Sequence, residues 1–387
     1  MKEFELEQYF AKYEFSAKYL LGSSDAQTIS MKQLLEWGME DEECAELWNN
    51  LELGYTESTG LPMLKKEIAS MYGGLAEENI LCFAGAEEAI YATMRALLKE
   101  GDHVCCILPA YQSLISVAED VVGSENVTGV DLVDRDGKWI LPMKSLRRQV
   151  QKNTKLIIMN FPHNPTGALI THEEQKEIVE LARENGTYIF FDEVYRGLEM
   201  QPELQLPQMC TLYEKALSLG VMSKAFGLPG LRIGWLASQD KNSLRLIGDY
   251  KHFLSICNSG PSEVLALMAL RSREKILARI HSIIQRNLLI IDDFLLEFSD
   301  LFVWNAPVAG CIGLMHMKGN VDIDQFAQAM MEGGSVMILP GYLFPSNNPS
   351  LSTRNTFRFG FGRSNFKEAM EVFRAAIRRY RGSCSVI

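Results

Sequence analysis

In the stretch VMSKAFGLPGLRIGW, Val221 to Trp235, Lys224 stands between a serine and a glycine-rich turn, eight residues before an arginine. A solvated lysine needs no such setting. A lysine that must become a neutral nucleophile beside an anionic ligand does. Other residues of chemical type also follow apolar runs. Gly85, Ala86 and Glu87 come after NILCFA, and Tyr111 comes soon after HVCCIL. Asn164 lies in FPHNPTG, after KLIIMN. Asp192 closes TYIFFD, with Tyr195 three residues on, and Ser223, Lys224 and Arg232 follow ALSLGV.

Taken singly, most of these have bland readings. A glycine often starts a helix, and an aromatic at a strand exit usually packs. Taken together they supply a phosphate cradle, an aromatic plate, an amide donor, a carboxylate, a phenol, a nucleophilic amine and an arginine. Backbone N–H groups at a helix start suit a phosphate. The proline after Asn164 restricts its backbone. An aspartate ending an apolar strand is desolvated and is expected to meet a cation. Pyridoxal 5'-phosphate asks for the whole set: its aldehyde needs an amine, its ring nitrogen a carboxylate, its phosphate an arginine and a helix end. Desolvation, with Arg232 nearby, is expected to depress the pKa of Lys224.

The elements that must position these residues are legible as alternating runs. From about residue 60, short apolar strands (NILCFA, HVCCIL, KLIIMN, TYIFFD, ALSLGV, IGWLA) alternate with amphipathic helices such as EEAIYATMRALLK and THEEQKEIVELAREN. Strands apolar throughout predict an α/β fold: a large domain with a mostly parallel sheet covered by helices on both faces. A long helical region, about Gln239 to Glu297, then leads to strands LFVW, CIGLMHM, VMILP and TFRFGF and two helices, a small α+β domain. The expected boundaries are 46–285 for the large, cofactor-binding domain and 1–45 with 286–387 for the small one. In an open α/β sheet, ligands lie beyond the carboxyl ends of the strands. In TFRFGFGR, alternation puts Phe357, Phe359 and Phe361 on one face and Arg358 on the other.

FPHNPTG, FDEVY and SKAFGLPGLRIG occur in an order in which the chain resembles the class I/II aminotransferase family of fold-type I pyridoxal-phosphate enzymes, over nearly its whole length. The resemblance implies that Lys224 forms the internal aldimine and that Asp192 pairs with the pyridine nitrogen. Asn164 and Tyr195 would bind the ring oxygen, Tyr111 would stack, and Gly85, Ala86, Glu87, Ser223 and Arg232 would hold the phosphate. It implies that Tyr55, in GYTESTG, reaches the phosphate of a neighbouring subunit in a homodimer with shared active sites. Arg358 would be the fork for the substrate α-carboxylate, with Asn164 beside it, and Gly22, in YLLGSSD, the turn that folds over the substrate. The implied reaction moves an amino group from an α-amino acid to a 2-oxo acid. A carbon–sulfur β-lyase or a capreomycidine-synthase-like synthase would keep every residue named. One departure concerns Val221, where many members have a phosphate-binding serine; Ser223 is the expected substitute.

Composition narrows the partners. Acidic residues outnumber basic ones, 49 to 38, for a net charge of -11, which argues against nucleic acid and anionic membranes. Eight cysteines show no metal-binding spacing, so free thiols in a reducing cytoplasm and no metal are expected. No apolar run reaches the ~18 residues of a membrane span. A cofactor-sensing regulator would need a DNA-binding module, and the chain is expected to start directly in the small-domain segment. His163 is read as a loop residue and the run IRRYRG as a solvated helix end. The aromatic-rich start (Phe4, Tyr9, Phe10, Tyr13, Phe15) fits core or pocket equally, and no basic residue suggests itself for a second substrate carboxylate.

Overall fold

A computed structural model describes residues 1–319, 321–347 and 355–384. Helix α1 (Glu5–Tyr13) opens the chain. The central sheet has seven strands: β1 (Ile80–Phe83), β2 (His103–Leu108), β3 (Val127–Asp131), β4 (Thr154–Asn160), β5 (Tyr188–Asp192), β6 (Ala216–Val221) and β7 (Gly234–Ala237). Their order is β1-β7-β6-β5-β4-β2-β3. The pairs from β6 to β3 are parallel, while β7 runs antiparallel to both its neighbours. This is the expected α/β architecture. Strands β1, β2 and β6 are buried along their whole length, as a sheet covered on both faces requires.

The reversal of β7 has a consequence for position. Gly234, its first residue, pairs with Val221 and Phe83, the last residues of β6 and β1. Residues that precede β7 therefore share one sheet edge with residues that follow the other strands. Arg232 reaches that edge by this route. Helix α2 (Ala86–Leu97) begins there, N-capped by Gly85 at φ 106°, a backbone conformation that favours glycine. Helix α3 (Gln112–Val122) begins past the carboxyl end of β2, with Tyr111 at its N-cap.

A second, four-stranded sheet joins β8 (Phe302–Trp304), β9 (Ile312–Met317), β10 (Leu339–Pro340) and β11 (Thr356–Gly360) in the order β8-β9-β11-β10. The segment VMILP, expected as one strand, divides: Val336–Met337 pairs with Tyr19–Leu20, and Leu339–Pro340 pairs with β11. The boundary expected at residue 285 falls inside one unbroken helix, Arg273–Glu297. Near the other boundary, helix Met31–Gly38 packs on helix Gly260–Arg271, where a Cβ on Gly38 would meet Met268 at 2.6 Å. Strand β11 places its phenylalanines in the core and Arg358 on the opposite face, as alternation predicts.

The N-terminal chain crosses β11 closely. Gly360 N–H donates to the Leu21 carbonyl at 2.6 Å, and a Cβ on Gly360 would land on the Ser23 carbonyl oxygen. Gly360→Ala should therefore lift the 21–24 turn off the strand, at an overpacking cost on the order of 1–3 kcal/mol. A lowered Tm and faster limited proteolysis of the N-terminal segment are expected; an unchanged Tm and cleavage rate would refute this contact as a constraint.

Candidate active site

The carboxyl edge of the large sheet opens into a cleft of about 580 Å³. Its lining includes Ala86, Glu87, Tyr111, Asn164, Asp192, Tyr195, Ser223, Lys224, Arg232 and Arg358, which the sequence reading named. Lys224, just past β6, is half-buried, and its Nζ donates to Ser24 Oγ at 2.9 Å. Burial lowers its pKa; Asp25 opposes this, and the cation that adds to it is Arg358. Arg358 thus fills the part that the sequence reading gave to Arg232.

Asp192, 6% exposed, has its carboxyl pushed up to about 7 by burial, against the Val194 N–H, which donates to it at 3.0 Å. The cation expected from the sequence is not supplied as an ion pair: among the described residues none forms a salt bridge with Asp192. Asn160, at the end of β4, braces this corner. Its Nδ2 donates to the Asp192 carbonyl at 3.0 Å, and its Oδ1 accepts from the Asn164 N–H at 2.8 Å. The Asn164 side chain is left to accept from Arg358 Nη1 at 3.1 Å. Tyr195 is 1% exposed and its hydroxyl has no hydrogen-bond partner among the described residues.

Arg358 is 1% exposed, with its guanidinium between the rings of Phe10 and Phe344, 5.7 and 5.3 Å from their centroids. Nε and Nη2 both donate to the Gly22 carbonyl, at 3.0 and 2.7 Å. Gly22 so presents an oxygen where a carboxylate oxygen would bind. Glycine is what lets the turn sit this close, since a Cβ at position 22 would meet Leu339 N at 2.8 Å.

Three observations fit this cleft to pyridoxal phosphate. Gly85 faces Arg232, whose Nη2 a Cβ would meet at 2.5 Å, so the helix end and the guanidinium form a cradle that glycine keeps open. The Tyr195 hydroxyl is an orphaned buried donor suited to a ring oxygen. Asp192 is a buried carboxyl suited to a ring N–H. Glu87 turns its carboxyl, pushed up to about 7 by burial, toward Ser113, whose Oγ donates at 2.9 Å. Its contribution to an anion is its N–H, as a carboxylate beside a phosphate would repel. Val221 is buried at the cleft wall and offers no donor, while Ser223 does line the cleft.

Tyr55 is 91% exposed and does not line the cleft of its own chain. Ser24, Asn160 and the α1 residues Glu7 and Phe10 do line it, and sequence reasoning missed their roles. Asn160, a polar residue closing an apolar strand, carried the same signal as Asp192. His163 is buried in its loop against Thr166 at 2.8 Å, with a pKa lowered to about 3 by burial, as a structural residue would be. Among the described residues no cluster of three or more His, Cys, Asp or Glu could hold a metal.

The family model "Aminotransferase class I and II" matches residues 18–373. A probable aspartate aminotransferase of Methanocaldococcus jannaschii is 26% identical over 317 residues, 79% of this chain and 80% of that protein. The crystal structure of a PLP-dependent aminotransferase from Streptococcus suis superposes with a TM-score of 0.89 at 27% identity, covering 98% of each chain. The PLP-dependent cyclase OrfR superposes at 0.86 with 23% identity, covering 98% of this chain and 97% of that one, a likeness of fold.

The raised Asp192 carboxyl carries a signed consequence. A carboxyl whose folded pKa lies above its unfolded value favours the fold while protonated. That contribution is lost as pH rises from the ordinary carboxylate range to about 7. In cofactor-free protein, Asp192→Asn should therefore gain Tm over the parent as pH goes from 5 to 8. Glu87 and Glu193, also near 7, both feel the Asp192 charge, so its removal eases their ionisation and adds to the gain in the same direction. A difference that stays flat or falls with pH would contradict the buried, unpaired carboxylate.

Proposed function

This chain belongs to the class I and II aminotransferase family, and on that premise we propose that Lys224 carries the cofactor and moves the substrate's α-proton. The enzyme uses pyridoxal phosphate to transfer an amino group between an α-amino acid and a 2-oxo acid. When bound, the cofactor supplies an aldehyde that condenses with amines and a ring that absorbs the electron pair left by the α-proton. The observation that carries the reading is a desolvated lysine and a buried carboxyl, unpaired with each other, in one cleft.

The chain's residues divide the work. Lys224, its pKa lowered, sheds its proton more readily and can take up and return a proton at Nζ. Ser24 Oγ holds Nζ in place. Asp192 would keep the ring nitrogen protonated, Asn164 and Tyr195 would bind the ring oxygen, and Tyr111 would cover the ring. Gly85, Ala86, Glu87, Ser223 and Arg232 would hold the phosphate. Arg358 would take the α-carboxylate in place of the Gly22 carbonyl, with the bidentate geometry that lysine cannot offer. The aromatic rings on both sides exclude water from that pair.

The reading extends to a homodimer in which Tyr55 serves the neighbouring subunit. Leu53, Tyr55 and Phe253 are 87, 91 and 89% exposed, an apolar surface of the kind that marks an interface. The two loops are tied into one unit: Lys251 Nζ donates to the Ser58 and Ile256 carbonyls, at 2.9 and 3.2 Å, and Thr56 Oγ1 to the Asn258 carbonyl at 3.2 Å. A reducing, cytoplasmic setting is supported by seven unpaired cysteines among the described side chains; that of Cys384 lies outside them. No helix among the described residues is long and apolar enough to cross a membrane.

Borohydride treatment of the yellow enzyme followed by peptide mapping should label Lys224 alone, and an amino acid with a 2-oxo acid should exchange amino groups. A label on another lysine would unseat Lys224. Release of pyruvate and ammonia from a donor with a β-leaving group, without amino transfer, would point to elimination instead.

Mixing inactive Lys224→Ala protein with an inactive Tyr55→Phe variant should restore part of the activity, because a hybrid dimer rebuilds one intact site. Absence of recovery, with subunit exchange demonstrated, would exclude the shared site.

A further inference from the structure

The charges lining the cleft do not balance once each has its task. Its cations are Lys224, Arg232 and Arg358, all committed to cofactor or α-carboxylate in the reading above. Its acids are Glu7, Glu14, Asp25, Glu87 and Asp192. Asp192 has the ring nitrogen, Glu87 has Ser113, and Asp25 is paired with Arg363 at 2.9 Å. Glu7 and Glu14 remain, and among the described residues neither meets a cation within salt-bridge distance.

These two carboxylates are held by construction. Leu6, in α1, is 1% exposed and packs with Leu339, Leu343 and Phe344, the last of which also covers Arg358. Tyr9 Oη donates to the Ile338 carbonyl at 2.9 Å, and Gln112 Nε2 donates to the Glu3 carbonyl at 2.6 Å. Helix α1 is thus fastened both to α3 and to the strands beside Arg358. Glu7, at the exposed rim, accepts from Tyr111 Oη at 2.8 Å and so faces inward. Burial, with Asp25 and Glu7 near, raises the pKa of Glu14, and Arg363 and Lys224 offset this only in part.

A second observation points to a ligand at the same wall. Ser23 is 4% exposed, lines the cleft, and its hydroxyl has no hydrogen-bond partner among the described residues. It is a buried acceptor two residues before Asp25, whose charge acts on Glu14. An ammonium or guanidinium would bring to this wall the cation that its carboxylates lack, and Ser23 would offer it a further acceptor. A second carboxylate would find only acids and a hydroxyl.

We propose that the amino donor carries a cationic side chain, held by Glu7 and Glu14 at the mouth of the cleft with Ser23 as a further acceptor. The inference rests on Arg358 taking the α-carboxylate, since that fixes which end of the donor faces α1. It sets this chain apart from a relative named for aspartate, whose donor bears a second carboxylate.

α-Methyl amino acids lack the α-proton and bind without turnover, so calorimetry on the holoenzyme reads recognition alone. α-Methylarginine or α-methyllysine should bind at least tenfold tighter than α-methylnorleucine, a gain expected for one charge-assisted pair, and tighter still than α-methylglutamate. The better of the two cations distinguishes guanidinium from ammonium. Added salt should weaken the cationic ligand and spare the norleucine analogue. Glu7→Gln and Glu14→Gln should each cut the arginine-to-norleucine ratio in binding and in kcat/KM. Tighter binding of α-methylglutamate, or ratios unmoved by both variants, would overturn the proposal. The wild-type series and its salt dependence decide the matter if a variant fails to fold. Selective cation binding without amino transfer to any 2-oxo acid would retain this inference and remove the transamination reading.

Discussion

The site depends on desolvation of three ionisable groups that are not paired with each other. Lys224, Asp192 and Arg358 share one cleft, yet each is steadied by a neutral neighbour: Ser24 Oγ, the Val194 N–H and the Gly22 carbonyl. A buried ion pair would have satisfied two of them at once and left nothing for a ligand. Hydrogen bonds to neutral groups reduce the desolvation cost without cancelling charge. The field at the cleft centre therefore stays available to a ligand that brings its own charges. Lys224 responds by shedding its proton more readily and Asp192 by holding its proton.

The fold keeps these groups apart and aimed. Asp192, Lys224 and Asn160 sit at or just past adjacent strand ends, so their spacing is set by sheet pairing rather than by loops. Register fixes Asn160 opposite Asp192 and the side-chain amide of Asn160 then fixes Asn164. The reversed strand β7 brings Arg232 to the same edge from the other direction, where Gly85 leaves it room. Apart from Asn164, which depends on the Asn160 side chain, these positions are thus held by backbone geometry.

This explains what could be read in advance. A strand-end residue announces itself locally, as a polar group after an apolar run, and Gly85, Asn164, Asp192 and Lys224 were all legible that way. The alternation in TFRFGF likewise separated Arg358 from the phenylalanines beside it. Ser24 and Glu7 carry no such mark. Ser24 meets Lys224 across 200 positions and Glu7 meets Tyr111 across 104, contacts made only when the N-terminal chain folds back. VMILP read as one strand because five apolar residues in a row have no period, and its division between two sheets is decided by partners elsewhere.

Helix α1 shows why the ambiguity of the N-terminal aromatics was physical. Phe10 and Leu6 lie within two turns of one helix; Leu6 belongs to a satellite core and Phe10 to the wall around Arg358. An apolar residue on a short helix that bridges two surfaces is core to one and pocket to the other. The packing of Phe344 on both Leu6 and the Arg358 guanidinium makes the two roles inseparable. Fastening α1 to the strands therefore orders the surroundings of Arg358 and, through Glu7, the rim above it, so that on the proposed reading both ends of a bound donor would meet one mechanically continuous unit.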